Sequence, residues 1–290
     1  MAHKNKSNLS PAWAAKPPRA TSGRSSERMT QRKTHRNTHL NTHLKGRHRQ
    51  PDRIFSVEEA SDRLADLFSN HGWSEISHAE RLIFARFYVL LMEKQKSLNL
   101  TRLLSLREVA IKHFVDSLMV TRLTTLQFPL LDLGTGPGFP GIPLGIHFPS
   151  EKIILAEGVQ KRVEFLKEVR ESLGLKNLDI IGRNINPWFF YPVQGVITRA
   201  VEDIRNTLKN VIYSLQTGGR AYFMKGPAVD PEIELAEREV GQFYELEQDL
   251  AYEIPQTPQQ RRLLIYRKIK CAPFPDLEDE PWPGEPNEKG

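Results

Sequence analysis

The sequence predicts an α/β fold: a doubly wound, mostly parallel sheet preceded by a helical segment. Three observations carry this expectation. From residue 128 onward, short apolar runs alternate with helical stretches, the pattern of strands joined by crossover helices. Residues 54–123 read as helical and are punctuated by Ser-x-x-Glu helix starts. One apolar run, Leu130–Leu133, ends in a glycine-dense turn that opens a helix, and doubly wound sheets bind ligands at such strand ends.

In chain order, the helix starts are Ser56 with Glu59, Ser77 with Glu80, and Ser105 with Glu108. The second helix, about 78–96, carries Leu82, Ile83, Phe84, Phe87, Leu90 and Leu91, a broad apolar face that must pack on something. The third carries Val109, Ile111, Phe114, Val115 and Leu118. Strands are expected at 129–133, 152–157, 178–182, 195–199, 220–224, 246–254 and 262–269. Helices are expected at 141–147, 160–173, 203–215 and 230–241.

The formal net charge of +6 hides an asymmetry. Residues 1–50 carry +11, residues 271–290 carry −5, and the span between them is neutral. Few apolar groups in the first 50 residues leave too little to bury against the ordering entropy, so a disordered basic arm able to contact phosphate is expected there. The Pro- and acid-rich end reads as a disordered acidic tail. The organisation expected is therefore 1–52 basic tail, 53–125 helical segment, 126–270 sheet domain and 271–290 acidic tail. A Thr-His repeat at Thr34-His35, Thr38-His39 and Thr42-His43 reads as low-complexity sequence, and no metal site is expected. A single cysteine, Cys271, excludes an intramolecular disulfide framework. No apolar run approaches the ~20 residues of a membrane span.

The chemistry centres on Asp132-Leu133-Gly134-Thr135-Gly136-Pro137-Gly138-Phe139-Pro140-Gly141. Glycines permit positive φ and let a ligand approach the backbone. The letters match a dinucleotide loop, Gly136-x-Gly138-x-x-Gly141. However, Pro137 and Pro140 remove two N–H donors from the turn that would cradle a pyrophosphate. Asp132 also lies where an anionic cofactor would be repelled, and a carboxylate there suits an ammonium-bearing ligand such as S-adenosylmethionine. Glu157, ending the second predicted strand, is placed to accept hydrogen bonds from ribose hydroxyls, a need that S-adenosylmethionine and NAD share.

With these residues in place, the chain resembles the bacterial small-subunit ribosomal RNA guanine-N7 methyltransferase family, also called glucose-inhibited division protein B. The resemblance runs from about 75 to 270. It rests on Asn99-Leu100-Thr101, His113 to Ser117, the Asp132 to Pro143 loop, Lys161 to Leu166, Thr198-Arg199-Ala200 and Lys225-Gly226. It implies a class I S-adenosylmethionine-dependent methyltransferase fold, Rossmann-like with a seven-stranded mostly parallel sheet and a helical N-terminal cap. It further implies methyl transfer to N7 of a guanine in 16S ribosomal RNA.

By motif position, the cofactor residues are Asp132, Gly134, Gly136, Gly138, Phe139, Glu157, Asn184, Ile185 and Arg199. The substrate side falls on His113, Asp116 and Lys225. Arg199 and Lys225 are assigned the chemistry, holding O6 of guanine or an adjacent phosphate. Glu157 departs from the family's usual Asp, and Asn184-Ile185 lacks the usual acid. Asn186-Pro187-Trp188-Phe189 imitates the box of amino-methyltransferases but precedes the fourth predicted strand instead of following it. The expected partner is ribosomal RNA or the small ribosomal subunit, for a monomeric cytoplasmic enzyme with no membrane. Three alternatives stay open at this point: a methyltransferase for another RNA, a non-catalytic RNA-binding relative and an NAD(P)-dependent oxidoreductase.

Overall fold

The first helix, α1 (Val57–Asn70), begins where Ser56 accepts the Glu59 N–H; α2 (His78–Leu98) begins with a full capping box between Ser77 and Glu80. The third expected helix is broken into three pieces. A short α3 (Leu106–Val109) passes into a π-helical turn, Ala110–Val115, and then into α4 (Asp116–Leu123). A computed structural model of the chain describes residues 50–199 and 202–273. The Thr-His repeat, nearly all of the basic arm and most of the acidic tail lie outside the described residues, as does Ala200.

The sheet has seven strands. In chain order they are β1 (Leu130–Leu133), β2 (Ile153–Ala156), β3 (Leu178–Ile181), β4 (Val193–Arg199), β5 (Leu215–Lys225), β6 (Tyr244–Glu253) and β7 (Gln260–Lys268). Their order across the sheet is β3-β2-β1-β4-β5-β7-β6, with β7 antiparallel to both neighbours and the remaining pairs parallel. The crossovers carry α5 (Gly141–His147), α6 (Gln160–Leu173), α7 (Ile204–Asn210) and α8 (Asp230–Val240). Central strands β1 and β2 are buried along their whole length, which is why they read as continuous apolar runs instead of alternating ones.

Two cores sandwich the sheet. One joins α1, α2 and the π turn to α5 and α6; the other lies beneath α7 and α8. The apolar residues of α2 find their partners in α1, α5 and α6. At this junction Phe84, Phe87, Phe114 and Phe139 pack ring against ring at 5.0–6.2 Å. Each such pair adds about 0.5–1.5 kcal/mol to its area burial. Phe139 belongs to the glycine loop, so the loop is clamped to the helical segment. Crossover loops β1–α5 and β4–α7 open on the same sheet edge, the carboxyl ends of the parallel strands. Among the described residues no helix is long and apolar enough to cross a membrane.

Candidate active site

The loop after β1 is held rigid by its own donors. Gly134 N and Thr135 N both donate to Ala156 O, at 2.9 and 3.1 Å. Gly136 N donates to Glu157 Oε2 at 3.0 Å and Gly141 N to Asp132 Oδ2 at 2.7 Å. Gly138 N and Phe139 N both donate to Thr135 O. With Pro137 and Pro140 lacking the group, every N–H between 134 and 141 is committed inside the protein. A diphosphate needs such donors and would find none. The loop's main chain offers only carbonyl oxygens, the partners an ammonium or a hydroxyl uses.

Asp132 is fully buried and lines neither of the two cavities that meet at the loop. Its Oδ2 accepts from Thr135 Oγ1 at 2.5 Å as well as from Gly141 N, so the carboxyl folds the loop around itself. Its Oδ1 has no hydrogen-bond partner among the described residues. Burial pushes this carboxyl up to about 6, against the hydrogen bonds from Thr135 and Gly141. Gly138 is likewise structural: its φ is +105°, and a Cβ there would meet Ile142 Cδ1 at 2.1 Å. Gly136, at φ +61°, faces open space.

Two cavities meet at this loop. The smaller, about 280 Å³, is lined by Gly134, Glu157, Asn184 and Ile185 together with Arg162 and Arg183. Glu157, only 5% exposed, accepts from Gly136 N and Val159 N, and Arg162 Nη1 lies 3.5 Å from Oε2. Asn186-Pro187-Trp188-Phe189 follows Ile185 of this cavity in the chain, before β4, and Phe189 stacks on Tyr191. The larger cavity, about 750 Å³, collects Gly134, Gly136, Phe139, His113, Asp116, Arg199 and Lys225, seven of the residues read from the sequence.

Arg199, ending β4, is the hub of the larger cavity. Its Nη1 donates to Lys112 O at 3.1 Å and to Asp116 Oδ2 at 3.0 Å, and its Nη2 to His113 Nδ1 at 2.9 Å. The π turn makes the first contact possible. In an α-helix Lys112 O would accept the Asp116 N–H; here that N–H goes to Ile111 O and His113 O, and the Lys112 carbonyl turns to Arg199. His113 stacks on Phe139 with ring centroids 4.1 Å apart and the planes 12° from parallel. Burial, with the Arg199 charge beside it, holds its imidazole well below its usual value, so it is neutral.

Arg199 and Lys225 both line the larger cavity, and both are already engaged by protein partners. Three donor contacts of Arg199 hold the helical segment to the sheet. Lys225 Nζ donates to Glu202 O at 2.9 Å and to Glu232 Oε2 at 2.8 Å, while Ile204 N donates to the same Glu232 oxygen. It ties the segment after β4 to α8. Sequence reasoning missed Arg261, which reaches from β7 to place Nε 3.7 Å from Asp116 Oδ1, and it gave no task to Thr101, Arg102 or Lys112, which line the cavity from the helical side. For Arg261, a basic pair at a strand start gave no warning of a contact 145 residues back along the chain.

A β3-β2-β1-β4-β5-β7-β6 sheet with a glycine loop after its first strand and cavities at the carboxyl ends of its strands defines a class I methyltransferase fold. Residues 81–264 match the family model GidB, described as rRNA small subunit methyltransferase G, and the chain belongs to that family. It is 61% identical over 235 residues to "Ribosomal RNA small subunit methyltransferase G 2" of Bdellovibrio bacteriovorus, covering 81% of this chain and 92% of that protein. With "Ribosomal RNA small subunit methyltransferase G" of Carboxydothermus hydrogenoformans the identity is 34% over 220 residues, covering 73% and 92%. Among solved structures, TrmN from Thermus thermophilus matches with a TM-score of 0.43 and 17% identity over 53% of this chain and 48% of that one.

Proposed function

We propose that the protein transfers a methyl group from S-adenosylmethionine to N7 of a guanine in 16S ribosomal RNA. The observation that carries this reading is the glycine loop with every N–H committed and a buried carboxylate oxygen unpartnered behind it. That environment suits a cationic donor and opposes a diphosphate, which removes the oxidoreductase alternative. Family membership supports ribosomal RNA as the acceptor. When bound, S-adenosylmethionine supplies an electrophilic methyl that guanine N7 takes with its in-plane lone pair, the sulfur keeping the bonding electrons and no proton leaving.

The chain's task is thus alignment more than proton transfer. Gly134 and Gly136 let the ligand lie against backbone, Glu157 accepts from the ribose, and Asn184 and Ile185 border the adenine. His113, neutral and stacked on Phe139, forms a flat wall for the larger cavity. Arg199 and Lys225 act as positioning residues that hold that wall and the segment after β4. Arg102, which pairs with no carboxylate among the described residues, and Lys112 at the cavity mouth suit backbone phosphates. The enzyme works as a cytoplasmic monomer, with the helical segment (53–125) and the sheet domain (126–270) forming the two sides of one site and the basic arm adding sequence-independent RNA affinity.

The experiment is to incubate the full chain with labelled S-adenosylmethionine and small ribosomal subunits from a strain lacking the modification, digest the RNA and analyse nucleosides. Label in 7-methylguanosine at one position is expected. Label in another nucleoside, or none, contradicts the reading.

A further inference from the structure

Guanine presents two acceptors on the edge that reacts, N7 and O6. N7 must keep its lone pair for the methyl, so recognition of that edge has to come through O6. Arginine and lysine are the usual donors there, yet Arg199 and Lys225 are engaged by protein partners. A cation against O6 would also oppose the reaction, because methylation at N7 makes the ring positive. A neutral, directed donor fits better on both counts.

The network at the π turn builds one. Arg199 can only donate, so the His113 Nδ1 it touches must be the bare nitrogen. The imidazole proton therefore sits on Nε2, which lies 2.9 Å from Thr101 Oγ1. Thr101 Oγ1 also accepts the Leu103 N–H at 3.1 Å. With both lone-pair directions of the hydroxyl taken, its own hydrogen is its one remaining function. Thr101 is itself fixed, since Gln95 Oε1 holds its N–H at 2.9 Å, and it lines the larger cavity opposite the glycine loop. Arg199 thus sets the polarity of a relay, from guanidinium to imidazole to hydroxyl, and the relay ends in a donor with no charge.

We infer that Thr101 is a specificity-determining residue whose hydroxyl donates to O6 of the target guanine; this rests on the guanine-N7 reading above. The test compares small subunits carrying guanine or 2-aminopurine, which lacks O6, at the position mapped by the nucleoside experiment. Wild type, Thr101→Val and Thr101→Ser are assayed for kcat/KM on both, with S-adenosylhomocysteine affinity as a check on the fold. Wild type should prefer guanine by about tenfold or more, the scale of one directed hydrogen bond. Thr101→Val should lose about tenfold on guanine and almost nothing further on 2-aminopurine, while Thr101→Ser keeps the wild-type preference. Thr101→Ala, which sets no methyl against His113 Nε2, gives the same readout where valine disturbs folding. Equal losses on both substrates, or a preference for guanine that survives in the valine and alanine variants, would overturn the inference while leaving the guanine-N7 reading intact. Absence of methyl transfer by wild type itself would overturn both.

Discussion

The two walls of the site treat their polar groups in opposite ways. The glycine loop turns every N–H inward, to Ala156, Glu157, Asp132 and itself. The wall formed by Thr101, Arg102 and Lys112 instead brings side chains with donor groups to the cavity lining. On the proposed function, the first wall serves the cationic methyl donor and the second the acceptor-rich RNA. The difference follows from local chemistry. Two prolines lack the donor and internal carbonyls and carboxyls take the rest, whereas a π turn redirects a carbonyl and an imidazole toward Arg199, with Lys112 paired to Glu108 beside them.

The largest effect is expected where the walls meet. Arg199→Ala would leave Asp116, 3% exposed at its side chain, as a buried charge without its main partner. Breaking such a pair costs about 3–5 kcal/mol. Thermal unfolding should register it, and replacing Asp116 by Asn in the same chain should recover part of the loss. An Arg199→Ala chain with unchanged stability would show that the guanidinium does not hold the wall.

Next comes the loop itself. A Cβ at Gly141 would stand 2.2 Å from Leu155 Cδ2 and 2.6 Å from Asp132 Oδ2. Gly141→Ala should cost about 1–3 kcal/mol as overpacking and abolish S-adenosylhomocysteine binding measured by calorimetry. Cofactor affinity surviving in a destabilised chain would separate the loop's shape from its function.

Charge behind the loop is the third test. Asp132→Asn keeps an acceptor for Thr135 and Gly141 but removes the negative charge, so cofactor affinity should fall about tenfold, or about 1.4 kcal/mol, with the fold retained. The pH dependence sharpens this. Because the Asp132 carboxyl is raised from 3.8 to about 6, the stability its protonated form contributes is full below 3.8 and is lost as pH rises through about 6. Affinity for a cationic ligand should move the other way, tightening from pH 5 to 7 in wild type and staying flat in Asp132→Asn. The smallest effect belongs to Lys225→Met. Its ion pair with Glu232 is partly exposed, so stability should drop by less than about 1 kcal/mol, with methyl transfer slowed through the segment after β4.

Much of this arrangement can be read in the sequence. Ser77 with Glu80 starts a helix because its chemistry is contained in four residues. The helices at 141–147 and 160–173 and the seven strands follow from period and punctuation. The third helix shows where that legibility stops. The expected continuous third helix is interrupted by a π turn that changes which carbonyls are free, and no local residue signals it. Lys225 looked available at a strand end; only the fold brings Glu232 against it. Likewise, the sequence names Asp132 and four glycines, whereas the closure of each N–H on an internal acceptor is a property of the loop once folded.

The kind of ligand the loop at 134–141 accepts separates a methyl donor from a dinucleotide. Calorimetric titration of the full chain with S-adenosylhomocysteine and, separately, with NAD addresses it directly. Saturable one-to-one binding of S-adenosylhomocysteine and no heat from NAD is the expected result. Saturable NAD binding that S-adenosylhomocysteine fails to displace would contradict it.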